Sequence, residues 1–242
     1  PTPSAKQTEQ KNSDYDSIPL LRQNAPEGIF NLADYLNKVT SQEFIIIGSI
    51  VPDTALGIAK AKNESDWDYR FFGNLEKLSQ ELAKKGINCK IVQYGTAKPV
   101  LRFISQINGI DRPIEIGAWE KRENETIDQA VIRNLKEEGD VGLPGLYFTG
   151  TQQDDNTLEL KGSPAAISAF KNKKLTVLSD DVNIFEKKPI LLHQLLCKMH
   201  KYQQHGYTLD DKLIKCLNNT SSKTFNTAFR DYLSNKKKKK SF

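Results

Sequence analysis

The sequence predicts a fold that mixes α and β structure, with a sheet-containing head followed by a helical region. Two observations support this prediction. The run E-F-I-I-I over residues 43–47 is β-branched and aromatic, which is typical of a buried strand. From Phe185 onward the apolar residues instead recur at helical spacing, and they are Ile190, Leu191, Leu195, Met199 and Tyr202. The chain has 242 residues, enough to bury a full core.

The first part of the head can be followed in chain order. Residues up to about Ser17 are polar, so we expect them to be disordered. A short helix over 31–36, with Asn31 as its cap, should lead into the first strand. Gly48 and Ser49 then predict a turn from strand to helix, because neither carries a bulky side chain. Backbone amides at such a turn can meet a phosphate group.

The rest of the head is predicted as further strands and one helix. The strands are expected over 66–71, 88–92, 100–104 and 110–119. Asn74 should cap a helix that Gly86 ends, with apolar positions at Leu75, Leu78 and Leu82. Residues 138–145 are rich in glycine and include a proline, which predicts a loop. Three aromatic residues are expected in the core: Trp67, Phe71 and Phe72.

Two aspartates flank a tryptophan in the strand predicted over 66–71. Because side chains alternate along a strand, Asp66 and Asp68 should lie on one face and Trp67 on the other. Carboxylates on one face repel each other unless a cation lies between them, and hard oxygen ligands suit Mg²⁺. Glu115, between two isoleucines, would complete a set of three carboxylates if its strand is a neighbour. Three carboxylates can hold two Mg²⁺ ions for phosphoryl or nucleotidyl transfer.

Positive charge is concentrated in the C-terminal part of the chain. The net charge is +5, and residues 183–242 contain 13 basic and 4 acidic residues, including five consecutive lysines over 236–240. This part could attract a polyanion such as RNA, whereas the alternative interpretation of the lysine run is a solvated, disordered tail. Cys89, Cys197 and Cys216 match no zinc spacing and indicate free thiols in a reducing compartment. No apolar run reaches the roughly 20 residues of a membrane helix.

A wider pattern surrounds the two aspartates. The segment G-S-I-V-P-D-T-A-L-G over 48–57, followed by D-W-D over 66–68, resembles the head of class II CCA-adding enzymes and bacterial poly(A) polymerases. That family has G-G-x-V-R-D-x-L-L-G and then D-x-D. The resemblance continues through residues 146–148, 157–160, 162, 175–177, 185–186, 189 and 205–210, and covers roughly residues 44–218. It implies an α+β fold, a polymerase-β-like nucleotidyltransferase head with a small mixed β-sheet followed by an α-helical neck.

The chain is accordingly expected to have four parts. They are a disordered N-terminal segment (1–17), a nucleotidyltransferase-like head (18–182), a helical neck (183–235) and a basic tail (236–242). The resemblance implies catalytic and metal-binding roles for Asp66, Asp68 and Glu115. It implies nucleotide binding by Gly48, which matches the first glycine of the pattern, and by Ser49, which replaces the second. Three basic residues are further candidates for nucleotide binding through a phosphate contact, namely Arg70, Lys98 and Arg102.

Several positions depart from the family pattern. Pro52 stands where the family has a triphosphate-binding arginine, and Glu138 begins E-G-D where the family has R-R-D. Pro144 replaces an asparagine, and Lys188, Leu191 and Gln194 occupy the neighbourhood of the segment that reads the base. Glu138, Gly139 and Leu191 cannot supply the bidentate hydrogen bonds of arginine. Ordered addition of C, C and A to transfer RNA is therefore not expected.

Three hypotheses for the function remain. The first is a metal-dependent nucleotidyltransferase that uses Mg²⁺, or Mn²⁺ as an alternative, to move a nucleotide from an NTP to a hydroxyl, with an RNA 3′ end as a candidate acceptor. The second is a catalytically impaired relative that binds RNA or a protein partner. The third is a glycosyltransferase with Mn²⁺ and a nucleotide sugar at Asp66 and Asp68, against which the Gly48 turn argues. We expect a cytoplasmic protein without a membrane partner, or alternatively a secreted bacterial effector acting in a host cell.

Overall fold

The structure is a computed structural model that describes residues 15–26, 28–59, 66–94, 98–107, 110–138, 141–150 and 157–239, without the side chains of 235–239. The first half of these residues forms β1 (Asp16–Leu21), α1 (Ile29–Thr40), β2 (Phe44–Ile47), α2 (Ile50–Ala55), β3 (Trp67–Phe72), α3 (Leu75–Lys84), β4 (Lys90–Val92), β5 (Val100–Ile107) and β6 (Ile110–Trp119). The second half forms α4 (Ile127–Glu138), β7 (Val141–Gly142), β8 (Leu146–Thr149), β9 (Thr157–Gly162), α5 (Pro164–Lys171), β10 (Lys174–Val177), α6 (Ile184–Lys187), α7 (Pro189–Gln203), β11 (Thr208–Leu209), α8 (Asp211–Asn218) and α9 (Ser222–Lys239).

Eight strands form one mixed sheet in the order β1-β9-β8-β2-β3-β6-β5-β4, and β11-β10-β7 form a second sheet. In the large sheet β3 and β6 run parallel, while the other neighbouring strands are antiparallel. The α+β fold class with a mixed sheet is confirmed, although the sheet has more strands than the small one expected. The parallel pair lies near its centre, and both of its strands carry predicted site residues.

Both faces of the large sheet are covered. The main core lies on the face packed by α1 and α3, where Trp67 and Phe71 are 1% and 2% exposed, which confirms their expected burial. A smaller apolar cluster lies on the other face beneath α4, where Phe72 packs. Its buried members are Ile45, Ile47, Trp119, Val131, Leu135 and Tyr147. Asp68, between two residues buried in the main core, belongs to this second face.

The predicted helix after β3 is confirmed in detail. The Asn74 side chain accepts a hydrogen bond from the Lys77 backbone N–H at 2.9 Å, which caps α3. The three predicted apolar positions, Leu75, Leu78 and Leu82, are buried. Gly86 follows the helix with a φ of 78°, the left-handed conformation expected of a glycine that ends a helix.

Some expectations differ from the structure. Asp16 and Ser17, placed in the disordered segment, instead begin β1, because they pair with β9; residues 1–14 lie outside the described residues. Helix α1 begins at Ile29, before the predicted Asn31. The segment 138–145 is not entirely the loop that the sequence predicts. Glu138 is the last residue of α4, a helix that the sequence patterns did not predict, and Val141 and Gly142 form β7. Ile190, predicted to lie on the apolar face, is 62% exposed. The adjacent Leu191 points into the core from α7 instead.

Hydrogen bonds join α6 to the start of α9. Glu186 accepts hydrogen bonds from the Ser221 backbone N–H and from Thr224 Oγ1, the latter at 2.8 Å, and these bonds lower the pKa of Glu186. Helix α9 packs along α7 and continues to Lys239, so the backbone of the predicted tail is helical over 236–239. Residues 240–242 lie outside the described residues, and the bounds of the four parts stay predictions. No described helix is both long and apolar enough to cross a membrane.

Candidate functional site

The chain turns sharply at Gly48, between β2 and α2. The φ of Gly48 is 81°, a left-handed conformation that side chains other than glycine rarely adopt. A Cβ atom at this position would overlap with the carboxylate of Asp68. Glycine therefore allows the Asp68 carboxylate to lie directly against the turn, which confirms the predicted transition from strand to helix at Gly48 and Ser49.

Asp68 and Glu115 occupy matching positions on the parallel strands β3 and β6. Both side chains are half-buried, and the residues beside Asp68, Trp67 and Tyr69, are buried on the opposite face. Side chains at matching positions of neighbouring strands point to the same face. The structure thus brings two of the three predicted carboxylates together. It does so because β3 and β6 are neighbouring strands, which was the condition of the prediction.

Asp66 lies one residue before β3 and is exposed. Asp66 lies close enough to Arg112 for its charge to influence the pKa of that side chain. The Arg112 guanidinium lies 4.8 Å from the centre of the Trp67 ring. Burial lowers the pKa of Arg112, and the negative charge of Asp66 opposes this shift. Within the described ranges there is no group of three or more His, Cys, Asp or Glu side chains that could hold a metal ion. A metal site made of all three predicted carboxylates stays a prediction.

Glu115 has two partners in the structure. Tyr94 Oη donates a hydrogen bond to Glu115 Oε1 at 2.9 Å, and Arg102 donates one to Tyr94 Oη at 2.9 Å. Arg102 Nε also lies 3.7 Å from Glu115 Oε1, because the two residues face each other across β5 and β6. The bond to Glu115 raises the pKa of Tyr94. The positive charge of Arg102 thus balances Glu115 in this arrangement.

Tyr94 was not among the residues singled out from the sequence. It follows the short edge strand β4 and belongs to no motif or periodic pattern. No local signal could have found it, because its contact with Glu115 depends on the pairing of β4, β5 and β6. Lys98, a predicted phosphate contact, is exposed just before β5.

Arg70 lies on β3, on the same face as Asp68. Its Nε lies 3.6 Å from Glu138 Oε1, its guanidinium is 5.8 Å from the centre of the Trp119 ring, and it packs over Gly117. Glu138 Oε1 also accepts a hydrogen bond from Trp119 Nε1 at 2.6 Å. The end of α4 is therefore held by Arg70 and Trp119, so a phosphate would compete with Glu138 for Arg70.

Three lysines of the neck contact the head. Lys201 forms an ion pair with Asp53 of α2, which is 2% exposed and also accepts a hydrogen bond from Tyr202 Oη at 3.2 Å. Lys198 donates to the backbone oxygen of Val141 at 2.8 Å, and Lys188 donates to that of Glu138 at 3.4 Å. These contacts fix α7 against α2, which follows the Gly48 turn, and against the end of α4. Asp53 belongs to the segment that carries the resemblance, but the sequence assigned it no role.

The residues around Asp68 fit a divalent cation in their chemistry. Asp68 and Glu115 offer hard carboxylate oxygens on one face of the sheet, and the missing Cβ of Gly48 leaves the space that the Asp68 carboxylate occupies. A cation at Glu115 would take over the charge balance that Arg102 now provides. Asp68 and Glu115 are therefore the two carboxylates of this site that could hold a cation.

The mixed sheet, the turn before α2 and the helical region together form a fold that solved structures of CCA-adding enzymes share. A CCA-adding enzyme in complex with CTP is 16% identical with a TM-score of 0.60, covering 88% of this chain and 48% of that chain. The Thermotoga maritima CCA-adding enzyme complexed with transfer RNA is 15% identical with a TM-score of 0.58, covering 85% of this chain and 46% of that chain.

A CCA-adding enzyme in complex with ATP is also similar, with 16% identity and a TM-score of 0.58, covering 85% of this chain and 48% of that chain. This chain spans about half the length of the enzymes that it matches. No protein-family model and no curated protein matches the chain. At these identities the similarity shows the fold alone.

Proposed function

We propose that this protein is a nucleotidyltransferase that moves a nucleotide from an NTP to a hydroxyl acceptor. The observation that carries the proposal is the pairing of Asp68 and Glu115 on neighbouring parallel strands, beside the turn at Gly48. The fold supports it, since two of the similar structures are CCA-adding enzymes in complex with CTP and ATP. An RNA acceptor is supported by the similar enzyme that was solved with transfer RNA.

In the proposed reaction the three carboxylates would bind the metal, and Glu115 would also act as a base. Asp66, Asp68 and Glu115 would hold Mg²⁺, or alternatively Mn²⁺, which neutralises phosphate charge and assists the departure of pyrophosphate. Glu115 accepts the proton of the attacking hydroxyl. Backbone amides at Gly48 and Ser49 bind the phosphate chain, as the turn before α2 allows.

Basic side chains near β5 would complete the phosphate site. Arg102 and Lys98 are exposed, and Arg102 already lies beside Glu115. Arg102 can bind two phosphate oxygens at once, whereas Lys98 acts as a point charge. Arg70 would join them only by exchanging its contact with Glu138 for a contact with phosphate.

Labelled donors test the proposed function directly. The full chain is incubated with each α-labelled NTP or with labelled UDP-sugars, with Mg²⁺ or with EDTA, and with RNA that ends in a free 3′ hydroxyl. We expect label from at least one NTP to appear on an acceptor only with the metal. Transfer from a UDP-sugar would favour the glycosyltransferase hypothesis, and no transfer from any donor would contradict the proposal.

Nucleotide choice should differ from that of a CCA-adding enzyme. Glu138 stands at the position of a family arginine and repels a triphosphate at short range, although its contact with Arg70 reduces this repulsion. On a transfer RNA that lacks its CCA end, we expect relaxed or different nucleotide addition, measured by sequencing the products. Efficient addition of CTP and then ATP in the normal order would show that other residues have taken over the roles of the family arginines.

A second candidate function is binding of RNA without catalysis. It is favoured by the engagement of Glu115 with Arg102 and Tyr94 and by the basic end of the chain. Helix α9 carries Lys223 and Arg230 beside the partly exposed rings of Phe225 and Phe229. Aromatic rings next to basic side chains are suited to contact with single-stranded RNA.

Removing the basic tail should weaken RNA binding. Each RNA phosphate that the protein no longer neutralises reduces the slope of log affinity against log salt by roughly one unit, so deletion of 236–242 should flatten the salt dependence. Filter binding across a salt series measures both effects. Replacing Lys84 and Lys85, which are exposed on α3 and beside it, with alanine provides a control of matched chemistry. Unchanged binding after the deletion would show that the lysines do not contact RNA.

A further inference from the structure

The hydroxyl of Tyr94 occupies an unusual position at the candidate site. The residue is 50% exposed, yet its Oη donates to Glu115 Oε1 at 2.9 Å and accepts from Arg102 at 2.9 Å. A hydroxyl within hydrogen-bond distance of a carboxylate base has the geometry of an activated nucleophile. Exposure also leaves room for a group attached to this oxygen.

We propose that Tyr94 is a site of self-nucleotidylation, an inference that rests on the proposed function. Tyr94 Oη attacks the α-phosphorus of a bound NTP and forms a new O–P bond, and its proton passes to Glu115. The bond between the α-phosphorus and the oxygen that bridges to the β-phosphate breaks, and pyrophosphate leaves. The product is a phosphodiester that joins tyrosine to a nucleoside monophosphate, and nothing is oxidised or reduced.

Arg102 has a defined part in this step. Its guanidinium donates to Tyr94 Oη and lies beside Glu115, so it holds the phenol in place on the carboxylate. The same fixed positive charge can stabilise the negative charge that develops on the phosphate oxygens during attack. The three side chains come from β5, β6 and the segment after β4, which the antiparallel pairing of the strands brings together.

Other tyrosines are not placed for this reaction. Four are engaged elsewhere through their hydroxyls, in contacts with the Ile29 backbone oxygen, Asp128, Asp53 and the Phe170 backbone oxygen; these are Tyr69, Tyr147, Tyr202 and Tyr207. Tyr35 is 40% exposed but lies on α1, which packs on the main-core face of the sheet. The Tyr94 hydroxyl instead donates to Glu115, which is a predicted catalytic carboxylate.

The experiment follows label into the protein itself. The full chain is incubated with Mg²⁺ and each of the four NTPs, labelled at the α-phosphate or at the γ-phosphate, without any added acceptor. We expect label from an α-labelled NTP to stay on the denatured protein, and the intact mass to rise by one nucleoside monophosphate. Tandem mass spectrometry of the wild-type protein should place the addition on Tyr94, and a phosphodiesterase should release it. The γ-labelled NTP should leave no label, because pyrophosphate departs.

Two variants sharpen the test. Tyr94→Phe should remove the label, whereas Tyr35→Phe, which removes the hydroxyl of a tyrosine that is 40% exposed and lies outside the site, should keep it. A parallel incubation contains RNA with a free 3′ hydroxyl, and label on that RNA with none on Tyr94 would overturn this inference and leave the proposed function standing. Label mapped to a different residue, or label from the γ-phosphate, would also overturn it. No label on protein or RNA from any NTP would overturn both.

Discussion

Replacing Asp68 with asparagine should lower the rate of metal-dependent nucleotide transfer by about 100-fold or more while the fold stays intact. The carboxylate lies against the Gly48 turn and opposite Glu115, so an amide of the same shape keeps the packing but removes a negative charge needed to bind the cation. Removing one such electrostatic interaction typically lowers the rate by about 100- to 1,000-fold. Initial rates with a labelled NTP, together with thermal melting of the metal-free protein, measure the two parts of this expectation.

Asp111→Asn is the matched control for this substitution. Asp111 is exposed on β6, on the strand that carries Glu115, and its replacement should change neither rate nor stability appreciably. Asp66→Asn should behave like Asp68→Asn if Asp66 joins the metal. The melting temperature of metal-free Asp68→Asn should be equal to or above that of the wild type, since repulsion from Glu115 is removed. Wild-type activity in Asp68→Asn would end the proposal of a metal site at this position.

Replacing Asp53 with asparagine should destabilise the protein strongly. Asp53 is 2% exposed, and the Lys201 side chain that pairs with it is 18% exposed, so the variant would remove the negative charge from a largely buried ion pair. Breaking a buried pair in this way typically costs about 3–5 kcal/mol. For a chain of this size the melting temperature should fall by roughly 10 °C, as thermal unfolding followed by circular dichroism would show.

Two further variants test the cause of this effect. Asp34→Asn breaks an exposed ion pair in which Asp34 lies 2.8 Å from Lys38 on α1, and it should cost less than about 1 kcal/mol. Adding Lys201→Met to Asp53→Asn should restore part of the stability, because the unpaired charge is then gone. Equal melting temperatures for Asp53→Asn and Asp34→Asn would show that the buried pair does not hold the neck to the head.

The predictable parts of the site are those encoded locally. The buried strand over 44–47, the turn at Gly48 and the alternation around Trp67 follow from residue types that are adjacent in the chain, and the structure shows all three. Helix α4 was missed although its signal was present, since Ile127, Val131 and Leu135 recur every four residues and cover the smaller core. Charged residues between these apolar positions make the helical spacing difficult to recognise in the sequence.

The remaining parts depend on contacts between distant segments. Asp68 meets Glu115 only because β3 and β6 pair in parallel, and the sequence could state this only as a condition. The contact of Tyr94 with Glu115 and the pairing of Asp53 with Lys201 join segments that share no motif. A charged residue such as Asp53 is ordinarily exposed, so its burial could not be predicted without knowing where α7 lies.

The pairing of β1 with β9 has a consequence for how the chain is made. Asp16 lies opposite Gly162 and Leu21 opposite Thr157, so β1 pairs with a strand that the ribosome makes much later. Contacts between such distant segments form late, because a long loop must close before they contribute. Until β1 pairs with it, the outer edge of β9 is open and can pair with a strand of another nascent chain.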